Sequence, residues 1–191
     1  MGSEVPRAGF VLVGGASSRM GSDKASLPFR GGALVEHVAA AVAEAAGNVT
    51  LVGPPERYRD LGLRIIPDGY PGLGPLGGIH TALNSSPAIW NLIVACDLPV
   101  LSGTFLNRLM EAAEASGCDC LIPEGPSGRP EPLCAVYHSR CLPIIGAALE
   151  RGVRKVTDGL AGLRIAPWSV PESFWFRNVN TPEDWTQYLN G

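Results

Sequence analysis

Between Val11 and Lys24 an apolar run stops at the paired glycines Gly14 and Gly15. Ala16, Ser17, Ser18, Arg19, Met20, Gly21, Ser22, Asp23 and Lys24 follow. Glycines let a backbone approach a ligand closely and turn bare N–H groups toward phosphate oxygens. Arg19 and Lys24 add positive charge to the same short segment. Together these residues describe a cradle for a triphosphate. Neither common phosphate loop fits it. A Walker A loop needs G-x-x-x-x-G-K-[ST], whereas Gly21 here is followed by Ser22, Asp23 and Lys24; a dinucleotide loop needs G-x-G-x-x-G, whereas Gly14 and Gly15 are adjacent.

Transfer chemistry at a triphosphate needs a divalent cation to offset charge on the leaving pyrophosphate. Magnesium takes one or two carboxylates and otherwise keeps water and phosphate ligands. Asp97 fits that need, because the apolar run Asn91–Cys96 would project its carboxylate from rigid backbone. Taken alone, Asp97 would equally suit a turn or a helix cap. Asp68 ends another apolar run and precedes the glycine-rich stretch from Gly69 to Gly78, which could wrap a base or ribose. Its oxygens suit hydroxyls or ring N–H groups, although an Asp-Gly turn by itself is unremarkable. Asn180 stands just before Thr181-Pro-Glu-Asp184, a helix start, where it could reach the metal or simply cap. Arg129 and the Arg154-Lys155 pair, without that context, read as a turn and a solvated basic patch.

The elements that must position these residues alternate between strand and helix. Gly9–Val13 reads as a strand, and Val35, Val38, Val42 and Ala46 recur at helical spacing up to Gly47. Strands are predicted at Val49–Val52 and Leu63–Pro67, a short helix from Pro54, and a helix ending near Leu83. Asn91–Cys96 reads as a central strand, since strands covered on both faces lose alternation. A helix is predicted from Ser102 to Ser116 with Ser102 as N-cap. Strands at Cys118–Ile122 and Glu131–Tyr137 and a helix from Cys141 to Arg151 follow. Arg164–Ala166 and Phe174–Phe176 read as short strands. The pattern predicts an α/β fold, with a mostly parallel twisted sheet and helices on both faces. Ligands of such sheets gather at the carboxyl ends of the strands, where the first loop, Asp68 and Asp97 all fall.

The 191 residues, 46% hydrophobic and 17% charged, suit a single domain spanning 1–191 with a substantial core. Residues 1–8 are expected to be flexible. The formal net charge of −3 gives no reason to expect nucleic acid as a partner. No apolar stretch is long enough for a bilayer and the start lacks a secretory pattern, so no membrane association and a cytoplasmic location are expected. Cys96, Cys118, Cys120, Cys134 and Cys141 lack paired spacing and read as reduced core residues.

The first loop, Gly74-Pro-Leu-Gly-Gly-Ile79, Cys96-Asp-Leu-Pro99, Pro130-Glu-Pro-Leu133, Arg154-Lys155 and Asn178-Val-Asn-Thr-Pro-Glu183 run through most of the chain. In this combination the sequence resembles the molybdenum cofactor guanylyltransferase family of nucleotidyltransferases. The resemblance implies a Rossmann-like nucleotidyltransferase fold, GTP and Mg2+, and molybdenum-molybdopterin as acceptor. The product would be molybdopterin guanine dinucleotide, with pyrophosphate released. Carried over by position, Leu12, Val13, Gly14, Gly15, Lys24, Asp68 and Asp97 would contact GTP in a nucleotide-binding half at 9–100. Arg19, Lys24 and Asp97 would serve transfer, with the metal at Asp97 and Asn180. Arg129, Arg154, Lys155, Asn178 and Asn180 would meet the acceptor in the half at 101–191. The family usually has alanine where Val13 stands, and some relatives have asparagine where Gly53 stands. Molybdenum-insertion proteins or molybdoenzyme chaperones are the further partners it implies. Rival readings are a CTP-dependent molybdopterin cytidylyltransferase, another sugar- or alditol-phosphate nucleotidyltransferase, and a non-catalytic nucleotide-binding accessory protein for molybdoenzymes.

Overall fold

A computed structural model describes residues 6–14 and 23–177. In chain order it has β1 (Arg7–Leu12), β2 (Pro28–Phe29), β3 (Gly32–Ala33), α1 (Leu34–Ala46), β4 (Thr50–Val52), α2 (Pro55–Tyr58), β5 (Ile65–Ile66) and α3 (Pro75–Ser85). The second half adds β6 (Trp90–Ala95), α4 (Gly103–Ser116), β7 (Cys120–Glu124), β8 (Cys134–His138), α5 (Leu142–Glu150), α6 (Val156–Gly159) and β9 (Ile165–Ser169).

The main sheet has seven strands in the order β5-β4-β1-β6-β8-β7-β9. All run parallel except β8, which is antiparallel to both β6 and β7. The chain builds outward from β1 through β4 to β5, then returns to lay β6 on the other side of β1. The reversal leaves a crevice between the ends of β1 and β6.

Helices cover both faces. One core contains Val35, Val38 and Val42 of α1 with Phe105, Leu106 and Leu109 of α4; the other contains Leu76 and Ile79 of α3 with Ile145 and Leu149 of α5. Leu92 and Val94 of β6 point into the first core and Ile93 into the second, so this strand is buried from both sides. The α1 helix stops where Gly47 adopts φ +76° and returns its N–H to Ala43 O at 2.8 Å. Gly9 is required by close packing: a Cβ there would stand 2.6 Å from Asn48 O and closer still to Val42 Cγ1.

Boundaries differ from the sequence reading in several places, four of which have a local physical cause. The first strand opens at Arg7, inside the stretch expected to be flexible, because Arg7 is anchored by Nε and Nη2 bonds of 2.6 and 2.7 Å to Glu114. The strand expected at Leu63–Pro67 shrinks to Ile65–Ile66 at the sheet edge, between Gly62 at φ +66° and Pro67, which has no N–H to donate. The strand expected from Glu131 begins at Cys134, after a turn in which Cys134 N bonds Glu131 O at 3.0 Å. Phe174–Phe176 lies in a 3-10 turn rather than a strand, and Trp175 stacks on Phe105 at 4.6 Å. The helix start at Thr181–Asp184 lies outside the described residues. The five cysteines are free thiols.

Candidate active site

The ladder carries four strand ends to one edge. Leu12 pairs with Val52 on one side and Ala95 on the other, and Val52 pairs with Ile66. Hydrogen bonding continues one step beyond: Val13 N to Val52 O at 2.9 Å, Gly53 N to Ile66 O at 3.0 Å, and Cys96 N to Leu12 O at 3.3 Å. Gly14, Gly53, Asp68 and Asp97 therefore leave the same edge of the sheet, with Gly14 and Asp97 flanking the crevice.

Gly14 adopts φ +85°, and a Cβ there would lie 2.5 Å from Pro54 Cδ. Only glycine fits without strain. At Gly53 a Cβ would meet Val13 O at 2.5 Å and Val13 Cγ2 at 2.7 Å. The backbone carbonyl of residue 13 and the valine side chain both crowd this point, so the close approach of the two segments leaves no room for a side chain at 53. The Leu12 side chain packs beneath Gly78 of α3, whose Cβ position lies 3.2 Å from Leu12 Cδ2.

Lys24 opens a 3-10 turn, Lys24–Ser26, held by Ala25 N donating to Asp23 Oδ1 at 3.1 Å. Asp97 is half-buried at the end of β6. Burial raises its carboxyl above the ordinary range, while the Lys24 ammonium pulls the other way. Burial, followed by the carboxylates of Asp97 and Asp23, pushes the neighbouring Cys96 thiol up to about 12. Cys96 is therefore a neutral filler at this edge rather than a nucleophile. Glu131 also belongs here: burial raises its carboxyl, Arg129 lowers it, and Asp97 raises it further. Nothing in the spacing of Pro130-Glu-Pro132 marks Glu131 as a neighbour of Asp97.

Asp68 is oriented by residues that sequence reasoning missed. Its Oδ1 accepts from Tyr70 N at 2.9 Å and from Thr81 Oγ1 at 3.0 Å, and Thr81 Oγ1 accepts from Gly69 N at 3.0 Å. Thr81 also lies 2.9 Å from Gly77 O, one helical turn back. A single α3 hydroxyl thus fixes both the carboxylate and the loop behind it.

The sequence places Arg154 in the acceptor half, away from the nucleotide loop. In the structure its Nη1 donates to Gly72 O at 3.2 Å, in the glycine-rich stretch that follows Asp68. Arg154 and Gly72 stand a few residues ahead of two helices that pack together, α6 and α3. Lys155 pairs with Asp158 at 3.5 Å, and Arg129 with Glu131 at 3.8 Å. Gly15, Arg19, Asn178 and Asn180 lie outside the described residues.

Among the described residues no three His, Cys, Asp or Glu side chains gather as a metal site. One half-buried carboxylate opposed by a lysine nonetheless suits magnesium, which fills its remaining positions with water and phosphate oxygens. Among the same residues no helix is long and apolar enough to cross a membrane.

A family model described as the MobA-like NTP transferase domain matches residues 9–164. A protein of Flavobacterium johnsoniae described as a probable molybdenum cofactor guanylyltransferase is 34% identical over 178 residues, covering 92% of each chain. One from Methanothermobacter thermautotrophicus with the same description is 36% identical over 187 residues, covering 91% of this chain and 94% of its own. Among solved structures, molybdopterin-guanine dinucleotide biosynthesis protein A from Archaeoglobus fulgidus superposes with a TM-score of 0.81 at 29% identity, covering 94% of this chain and 95% of its own.

Proposed function

The chain belongs to the MobA-like NTP transferase family, and from that premise we propose that it transfers GMP from GTP to molybdenum-molybdopterin. A terminal phosphate oxygen of the pterin attacks the α-phosphorus of GTP in line. The bond from that phosphorus to the β-bridging oxygen breaks, and pyrophosphate leaves with its electron pair. A phosphate monoester is already largely anionic near neutral pH, so no general base is assigned.

The observation that carries this reading is the meeting of Gly14, Lys24 and Asp97 at the crevice between β1 and β6. Backbone N–H groups from Gly14 and Gly15 hold phosphate oxygens, and Lys24 and Arg19 donate charged hydrogen bonds to them. Asp97, with Asn180, is the place for Mg2+, which when bound neutralises charge on the leaving pyrophosphate. Asp68, held by Thr81, orients the nucleoside, with Leu12 and Val13 beneath it. The acceptor lies toward Arg129, Arg154, Lys155, Asn178 and Asn180, mainly in the half at 101–191. Arg154, through Gly72, also touches the nucleotide side, so the halves at 9–100 and 101–191 share a wall there. The setting is cytoplasmic, and molybdenum-insertion proteins or molybdoenzyme chaperones are its further partners.

A panel of the four common ribonucleoside triphosphates, each with magnesium and molybdenum-loaded molybdopterin, tests the reading. Pyrophosphate release should be fastest with GTP. Equal or faster release with CTP would replace guanylyl by cytidylyl transfer.

A further inference from the structure

Gly14 and Asp23 both meet one short segment, Pro54–Tyr58. Pro54 stands against Gly14, with its Cδ 2.5 Å from where a Cβ would be. At the other end, Tyr58 Oη donates to Asp23 Oδ2. The second oxygen of Asp23 is also occupied, since Oδ1 accepts from Ala25 N at 3.1 Å and so starts the turn that carries Lys24. Tyr58 is 1% exposed and belongs to the same core as the buried residues of α1. Burial, the bond to Asp23 and that residue's charge all raise the Tyr58 hydroxyl, which stays protonated and remains a donor.

We propose that Tyr58 is a positioning residue: acting through Asp23, it sets the Lys24 ammonium toward Asp97 and the triphosphate. The inference rests on the reading that Lys24 holds phosphate. Its chemistry is competition for one cation. Asp23 adjoins Lys24 in the chain, and both Asp23 and Asp97 act on the Cys96 thiol, so the two carboxylates share this edge. With Tyr58 bonded to it, Asp23 is held to its own partners. Without the hydroxyl, Oδ2 loses a donor, and the ammonium of the adjoining Lys24 becomes a replacement that is then withdrawn from the nucleotide.

Tyr58→Phe keeps the buried ring and removes only the hydroxyl. In the full-length protein it should lower kcat/KM for GTP about five- to twentyfold, the scale of a weakened charged hydrogen bond. The KM for molybdopterin should stay unchanged. Asp23→Ser keeps an oxygen for Ala25 N but removes the carboxylate that would draw Lys24 away, so adding Tyr58→Phe to it should cost less than about a further twofold. Adding Tyr58→Phe to Lys24→Met should cost less than about a further twofold, because partners acting as one unit are not additive. Calorimetric titration with magnesium and GTP should show the same pattern in affinity. A near-normal Tyr58→Phe, or a full additional loss on top of Lys24→Met, would make Tyr58 a core residue only. A silent Lys24→Met would instead overturn the role of Lys24 itself.

Discussion

Replacing Asp97 by asparagine should separate catalysis from stability. The side chain keeps its size and its polar end, and only the charge is lost. In the folded protein burial raises the Asp97 carboxyl, and Lys24 only partly opposes the shift. A carboxyl whose folded value lies above its unfolded value makes the fold less stable as pH rises through that interval. At neutral pH the native charge is therefore a small cost to the fold, and the substitution would remove it. Turnover should move the other way. Loss of the anion that magnesium prefers removes charge stabilisation that matters most in the transition state, comparable to losing one preorganised donor. That is about two to three decades in kcat, or roughly 3–4 kcal/mol. The assay is magnesium-dependent pyrophosphate release by the purified variant, beside a thermal melt. The expected pair is a Tm equal to or above the parent's with turnover nearly abolished. Near-normal turnover at ordinary magnesium would refute the reasoning and leave Asp97 as a turn residue. A sharp fall in Tm would show that its charge is structural.

Lys24→Met should lower kcat/KM for GTP by about one to two decades, the equivalent of a charged hydrogen bond of roughly 1.5–3 kcal/mol; an unchanged steady-state rate would make it a solvated lysine. Thr81→Val removes the hydroxyl that holds Asp68 Oδ1 at 3.0 Å, so the KM for GTP should rise more than kcat falls, and Thr81→Ser should restore it; equal behaviour of the valine and serine variants would contradict this. Asp119 is held down to about 2, chiefly by hydrogen bonds from Arg164, with Arg140 adding to the effect. Its contribution to stability is present above the unfolded carboxyl value of about 4 and fades as pH falls toward the folded value. Acid unfolding of Asp119→Asn should therefore be less steep than that of the parent over this window.

Much of the fold was legible because local signals agreed. Gly47 closes α1, Ser102 caps α4 through a 3.2 Å bond from Phe105 N, and unbroken apolar runs mark β1 and β6. The direction of β8 was not legible, since an apolar strand looks alike whether it runs parallel or antiparallel to its neighbour. The residues flanking the crevice, Gly14, Lys24 and Asp97, stood out because glycine, lysine and a strand-end aspartate each have a local pattern. The residues that orient them did not. Thr81 reaches Asp68 from 13 positions away, Tyr58 reaches Asp23 across 35, and Arg154 reaches Gly72 across 82. Such bonds exist only once β5, α2 and α6 have packed, and a threonine in a helix or a tyrosine in a core gives no sign of them.

Guanylyl transfer is tested most directly by following the α-phosphorus of GTP. The protein is incubated with magnesium, molybdenum-loaded molybdopterin and GTP labelled at that phosphorus, and the pterin product is isolated and its mass measured. The expected result is label incorporated into a molybdopterin guanine dinucleotide, in equal amount to unlabelled pyrophosphate released, with both lost in Asp97→Asn. Label recovered only as GTP, GMP or GDP, with no dinucleotide formed, would contradict it.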